Sequence, residues 1–181
     1  MIITDENILR SIKCENVLPE EVGELVAILE QELEHSEKLG RKGIGLAAPQ
    51  IGIAKNIAIV RIDTNHSVDL VNCKIKKQYD PAIFTDEGCL SVPGRIENTT
   101  RYQEIYVVDN LVFPDSFIAT GLMSVVIQHE LEHLNNILFY DHAIKTEIIS
   151  KSKLRPNDMC KCGSGKKFKR CCALDIGNKR V

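Results

Sequence analysis

The stretch Ser124-Val-Val-Ile-Gln-His-Glu-Leu-Glu-His-Leu134 decides how the rest of the chain is read. It has the composition of a helix, and it carries His129 and His133 four residues apart. At 3.6 residues per turn, positions i and i+4 stand one above the other on a single face. Two imidazoles so placed can reach one metal ion, with Glu130 beside them as a proton carrier. Leu122, Val125 and Val126 lie seven, four and three positions before His129, so they continue that face as an apolar wall. By itself the motif also suits a solvated helix whose histidines bind nothing.

The 181 residues suffice for one well-packed domain and a small appendage. No apolar run is long enough to cross a membrane. The start, Met1-Ile-Ile-Thr-Asp-Glu-Asn-Ile, has neither a basic flank nor an extended apolar core, so no secretory signal is expected. The expected compartment is the cytoplasm, with the seven cysteines as thiols or metal ligands. The net charge of −2 conceals a division: residues 1–150 hold 13 Lys+Arg against 23 Asp+Glu (−10), and residues 151–181 hold 10 against 2 (+8). An acidic body with a basic tail suggests that the tail meets something anionic.

Along the chain, residues 1–16 show no clear pattern. Pro19 to Leu39 predicts an amphipathic helix, with Pro19, Glu20 and Glu21 suited to its first turn. Val22, Leu25, Val26, Leu29 and Leu33 form its apolar stripe. Gly43-Ile-Gly-Leu-Ala-Ala-Pro-Gln-Ile-Gly52 is a tight loop with one polar side chain, Gln50; it lacks the residues of a phosphate cradle and the spacing of a dinucleotide loop. Strands are expected at 57–62, 70–72 and 104–108, with a polar connection over 74–80. Cys89 sits in Asp86-Glu-Gly-Cys-Leu-Ser-Val-Pro-Gly94, which follows no regular pattern. The motif helix begins near Thr120 or Gly121 and ends at Asn135-Asn136. The pattern predicts an α+β fold, mostly antiparallel, around the histidine-bearing helix.

Three stretches, GIGLAAPQIG (43–52), EGCLSVP (87–93) and QHELEHL (128–134), together and in this order closely resemble peptide deformylase over about residues 1–146. That family removes the formyl group from the N-terminal formyl-methionine of new chains. The resemblance implies antiparallel sheets around the HExxH helix. It implies Cys89, His129 and His133 as ligands of one metal, typically Fe(II), with Zn, Ni or Co able to occupy the site. It implies Glu130 as the proton carrier, and Gln50 with the Leu90 backbone N–H as donors to the oxyanion. Ile44, Val125 and Val126 are candidates for the methionine pocket, and Gly45 for pairing with the peptide backbone. Glu87 is expected to pair with Arg101 and brace the cysteine segment. The chain departs from the family at Glu132, usually aspartate, at Asn136, usually glycine, and at Cys73, commonly proline.

The tail, residues 156–172, carries Cys160, Cys162, Cys171 and Cys172 as C-x-C, eight residues, C-C. Two close thiolate pairs suit a closed tetrahedral zinc site, whose metal supplies the folding energy of so short a segment. The stretch resembles the SEC-C motif. Three parts are expected: a catalytic domain over 1–146, a linker over 147–155 and a small zinc module over 156–181. The implied partners are formyl-methionyl nascent peptides and, through the bases between Lys161 and Arg170, the ribosome; no membrane is implied. Two other readings stand beside this one. The first is a zinc protease with a more distant third ligand such as His142. The second is an adaptor whose working part is the tail.

Overall fold

The computed structural model describes residues 1–144, 157 and 167–170. The chain divides into two compact units, Met1–Ile144 and Lys145–Val181. In the second, the described residues include a 3-10 turn at Phe168–Arg170, with Lys167, Lys169 and Arg170 exposed. Cys160, Cys162, Cys171, Cys172 and the linker over 147–155 lie outside the described residues.

The first unit has three α-helices: α1 (Glu6–Leu9), α2 (Val22–Lys38) and α3 (Gly121–His133). Its six strands are β1 (Gly45–Ala47), β2 (Ile57–Arg61), β3 (Ser67–Val71), β4 (Lys74–Cys89), β5 (Val92–Val108) and β6 (Phe117–Thr120). They form two three-stranded antiparallel sheets, ordered β1-β2-β3 and β4-β5-β6. This is the α+β, antiparallel architecture expected around the HExxH helix.

Strand β2 shows how the layers are joined. Successive side chains of a strand point to opposite faces. Ile57 and Ile59 pack with Leu29 and Leu33 of α2, while Ala58 and Val60 pack with Val126, Ile127 and Leu131 of α3. Both faces are covered, so β2 is buried from Ile57 to Val60 and reads as an unbroken apolar run. Ile105 and Val107 of β5 and Ala119 of β6 join the same cluster as α3. The motif helix therefore lies between the two sheets, with nine of its 13 residues buried.

Helix α2 carries the expected stripe, with Leu29 and Leu33 buried and Val22, Leu25 and Val26 packed against them. Its first turn, Pro19–Glu21, is 3-10. Residues 1–16 include α1, capped by Asp5, whose carboxylate accepts the Asn7 N–H at 2.9 Å. Part of the 43–52 loop is ordered as β1 and a 3-10 turn over Ala48–Ile51.

The larger correction concerns residues 74–108. The expected polar connection is the start of β4, and the strand expected at 104–108 is the last part of the 17-residue β5. Most of β4 is exposed, so no hydrophobic alternation marks it; its backbone ladder with β5 orders it instead. Register shifts between Phe84 and Glu87 and between Gly88 and Cys89 interrupt that ladder beside the cysteine.

Candidate active site

The two histidines of α3 stand one turn apart, their ring centroids 4.9 Å from each other. Their Nε2 atoms are 3.2 Å apart, and Cys89 Sγ lies 3.2 Å from His133 Nε2. The irregular end of β4 thus delivers a sulfur to a pair of imidazoles 40 and more residues later in the chain. All three ligand atoms lie within 4.8 Å of one another.

Each imidazole is oriented from behind. His129 Nδ1 bonds Glu87 Oε1 at 2.7 Å, which turns Nε2 toward the sulfur. Phe139 stacks on the His129 ring at 5.9 Å. Glu87 in turn receives Arg101 through Nη2 at 2.6 Å and Nε at 2.8 Å, and the Thr99 hydroxyl at 2.5 Å. Burial works to raise the Glu87 carboxyl, but the His129 and Arg101 hydrogen bonds outweigh it and hold the group at about 2. Glu132 Oε1 accepts from Arg101 Nη1 at 2.6 Å, so one buried guanidinium ties β4, β5 and α3 together. The expected Glu87–Arg101 pair is present, and Glu132 joins it.

Glu130 is 4% exposed, and its Oε2 has no hydrogen-bond partner among the described residues. Burial pushes its carboxyl up to about 7, and a cation held nearby lowers that value. Gln50, 2% exposed, accepts the Ala47 N–H through Oε1 at 2.8 Å and turns Nε2 toward Cys89 Sγ at 3.5 Å.

These groups open on a cleft of about 830 Å³. Ile44, Gly45, Gln50, Cys89, Leu90, Val125, Val126, His129 and Glu130 all line it. His133 is 3% exposed and is not among the lining residues. Among the described residues His142 joins no ligand group; its Nε2 pairs with Glu132 at 3.1 Å. Sequence patterns did not single out Phe139, Thr99 or Ser91. Ser91 follows the motif cysteine by two positions and was within reach of sequence reasoning, whereas Phe139 and Thr99 carry no local signal.

The donor set fits a divalent cation. A sulfur and two imidazoles are borderline-soft ligands, with a buried, unpartnered carboxylate oxygen beside them. Burial disfavours charge on His129, yet its hydrogen bonds to Cys89 and Glu87 outweigh this and raise its pKa well above the usual value.

An HExxH helix that shares a metal-capable group with a strand cysteine, between two antiparallel sheets, defines the class of site the chain presents: one cysteine and two histidines within reach of a single ion. The sequence profile of the polypeptide deformylase family matches residues 2–148, and that of the SEC-C motif matches residues 157–174. The chain belongs to the peptide deformylase family, whose members are metal-dependent and remove the N-formyl group from nascent peptides. It is 44% identical over 108 residues to a peptide deformylase of Syntrophomonas wolfei, across 59% of this chain and 70% of that one. It is 40% identical over 117 residues to one of Prochlorococcus marinus, across 61% and 57%. Among solved structures, a probable peptide deformylase of Synechococcus phage S-SSM7 aligns with a TM-score of 0.66 at 33% identity, covering 78% of this chain and 98% of that one. The Synechococcus elongatus enzyme in complex with actinonin aligns at 0.67 and 30%, covering 79% and 77%. Among the described residues, no helix is long and apolar enough to cross a membrane.

Proposed function

We propose that this chain hydrolyses the formamide of N-terminal formyl-methionine, releasing formate and a free amino terminus. The observation that carries the reading is the approach of Cys89 Sγ to the His129 and His133 Nε2 atoms at the edge of an apolar cleft, beside the buried Glu130.

Cys89, His129 and His133 would hold a divalent cation, which when bound supplies a Lewis acid that activates water and polarises the formyl oxygen. Glu130 takes the proton of the attacking water and later delivers it to the departing amine nitrogen. Burial raises the affinity of the Glu130 carboxylate for a proton, and this suits both transfers. The water oxygen forms a bond to the formyl carbon, and the carbon–nitrogen bond then breaks. The Gln50 amide and the Leu90 backbone N–H donate to the oxygen that becomes negative; one such donor is worth roughly 10²–10³ in rate in other hydrolases. Ile44, Val125 and Val126 offer the methionine side chain an apolar seat. The edge strand β1, through Gly45, offers its backbone to the peptide as an added strand. Glu87 and Arg101 keep His129 aimed, without touching substrate.

Fe(II) is the proposed resident metal, with Zn, Ni or Co able to replace it, since thiolate and imidazole do not by themselves choose among them. The catalytic body is proposed to span 1–146 and a linker 147–155. Structural zinc on Cys160, Cys162, Cys171 and Cys172 would fold the module over 156–181. Its basic surroundings favour docking to ribosomal phosphates, which gives a nascent-chain enzyme its substrate at the point of synthesis. A reducing cytoplasm suits the seven cysteines.

The test is formate release from formyl-Met-Ala-Ser by the anaerobically prepared, iron-loaded full chain. Wild type releases formate, and Glu130→Ala keeps its metal but loses release. Cleavage of unformylated peptides without formate release would favour a protease instead, and no turnover of either would favour an adaptor. For the tail, loss of ribosome co-sedimentation on deleting residues 151–181 is expected, and unchanged co-sedimentation would overturn the docking proposal.

A further inference from the structure

Gln50 is gripped at both ends of its amide. A backbone N–H meets only an acceptor, so the 2.8 Å bond from Ala47 identifies Oε1 and directs the NH₂ group the other way. One Nε2 hydrogen goes to Ser91 Oγ at 3.1 Å. Cys89 Sγ is 3.5 Å from the same nitrogen, on the side of the cleft. Ser91 is 1% exposed and lies in the short turn joining β4 to β5. Among the described residues its hydroxyl has no other hydrogen-bond partner. An alanine would fill nearly the same space without bringing a polar group into the interior, so the hydroxyl serves the amide rather than the packing.

We infer that Ser91 is a positioning residue for the deformylation reaction. It accepts one hydrogen of the Gln50 amide and so leaves the second aimed where the formyl oxygen develops charge. The inference rests on the deformylase reading. Its physical content is preorganisation. A primary amide fastened only through its oxygen is free to swing its NH₂ group; with Ser91 holding one hydrogen, the second rests on the Cys89 sulfur at 3.5 Å, a weak acceptor that the formyl oxygen displaces. Fastened at both ends, it meets the developing oxyanion with no reorganisation left to make. Because the substrate contact belongs to Gln50, Ser91 acts only through it. Its effect therefore falls on kcat rather than on peptide binding.

The experiment is a double-mutant cycle on iron-loaded full chain, reading kcat and KM for formate release from formyl-Met-Ala-Ser. Ser91→Ala is expected to lower kcat roughly tenfold, less than deleting an oxyanion donor outright, with KM within about twofold. Ser91→Thr, which restores the hydroxyl, is expected to recover most of the rate. In a Gln50→Ala background, Ser91→Ala is expected to cost nothing further, because the group it positions is gone. If Ser91→Ala does not fold, Ser91→Gly takes its place under the same criteria. An unchanged kcat, or the same loss with and without Gln50, would overturn the inference while leaving the deformylase reading intact. A wild-type chain that releases no formate would overturn both.

Discussion

At Gly45 the backbone passes so close to Glu130 that a side chain there has no room. A Cβ would stand 2.9 Å from the Glu130 Cδ and 3.0 Å from its Cγ. Glu130 is a buried residue of α3 whose carboxylate occupies that space, so Gly45→Ala is expected to displace it. We predict a loss on the order of 10²-fold in kcat with the metal retained, the scale of a one-ångström misplacement. Steady-state kinetics beside metal analysis checks it, and activity within twofold of wild type would refute it. A different argument holds at Asn136, where the family usually has glycine. Its φ of +62° is left-handed, a conformation asparagine tolerates better than most residues. Its Nδ2 also donates to the Leu9 carbonyl at 2.9 Å and to the Ile12 carbonyl at 2.7 Å. Asparagine thus does more than cap the helix, because it fastens the segment after α1 to the end of α3. Asn136→Ala is expected to destabilise by about 1–3 kcal/mol through two orphaned carbonyls and a strained φ. Asn136→Gly, which removes only the bonds, is expected to lose less; equal losses in denaturant unfolding would contradict this.

Elements meet at Arg101. This guanidinium, 1% exposed on β5, pairs with Glu87 of β4 and Glu132 of α3. Removing it takes the guanidinium from both carboxylates and leaves Glu87 to His129 and Thr99 and Glu132 to His142, so Arg101→Met is expected to cost about 3–5 kcal/mol in chemical denaturation, the range for breaking a buried pair. A cost below about 1 kcal/mol would show that the network relaxes freely. The same junction explains what was legible beforehand. The spacing of His129 and His133, and the stripe from Val22 to Leu33, obey the helical period, and both are visible without coordinates. The pairing of Glu87 with Arg101 came from resemblance. Lys74 to Asp80 was missed as strand because exposed β4 carries no buried face, and its order comes from backbone pairing with β5. The approach of Cys89 to His133 lies beyond any periodicity, since it depends on two register shifts and on where the hairpin crosses α3. Thr99 and Phe139 are invisible for a related reason: each works through a partner distant in sequence.

For the whole molecule, stability against pH carries a signature of the core. Burial pushes the Cys73 thiol up to about 12, from 9.0. Between those values the folded state holds a proton that the unfolded chain has released. Stability therefore falls as pH rises across that window, and the contribution is absent below it. Cys73→Val is expected to lose this part of the alkaline decline when unfolding is measured from pH 8 to 12; an identical decline in the variant would contradict it. Function is a property of the whole molecule too, because α3, β1 and the β4–β5 turn must all be in place before the cleft exists. The most direct measurement is an anaerobic titration of metal-stripped full chain with ferrous iron, following formate release from formyl-Met-Ala-Ser at each addition. The account predicts release that climbs from nil in step with iron bound at the Cys89, His129 and His133 group. It predicts a flat line for Cys89→Ala. Release by the stripped protein, or an undiminished climb in Cys89→Ala, would contradict it.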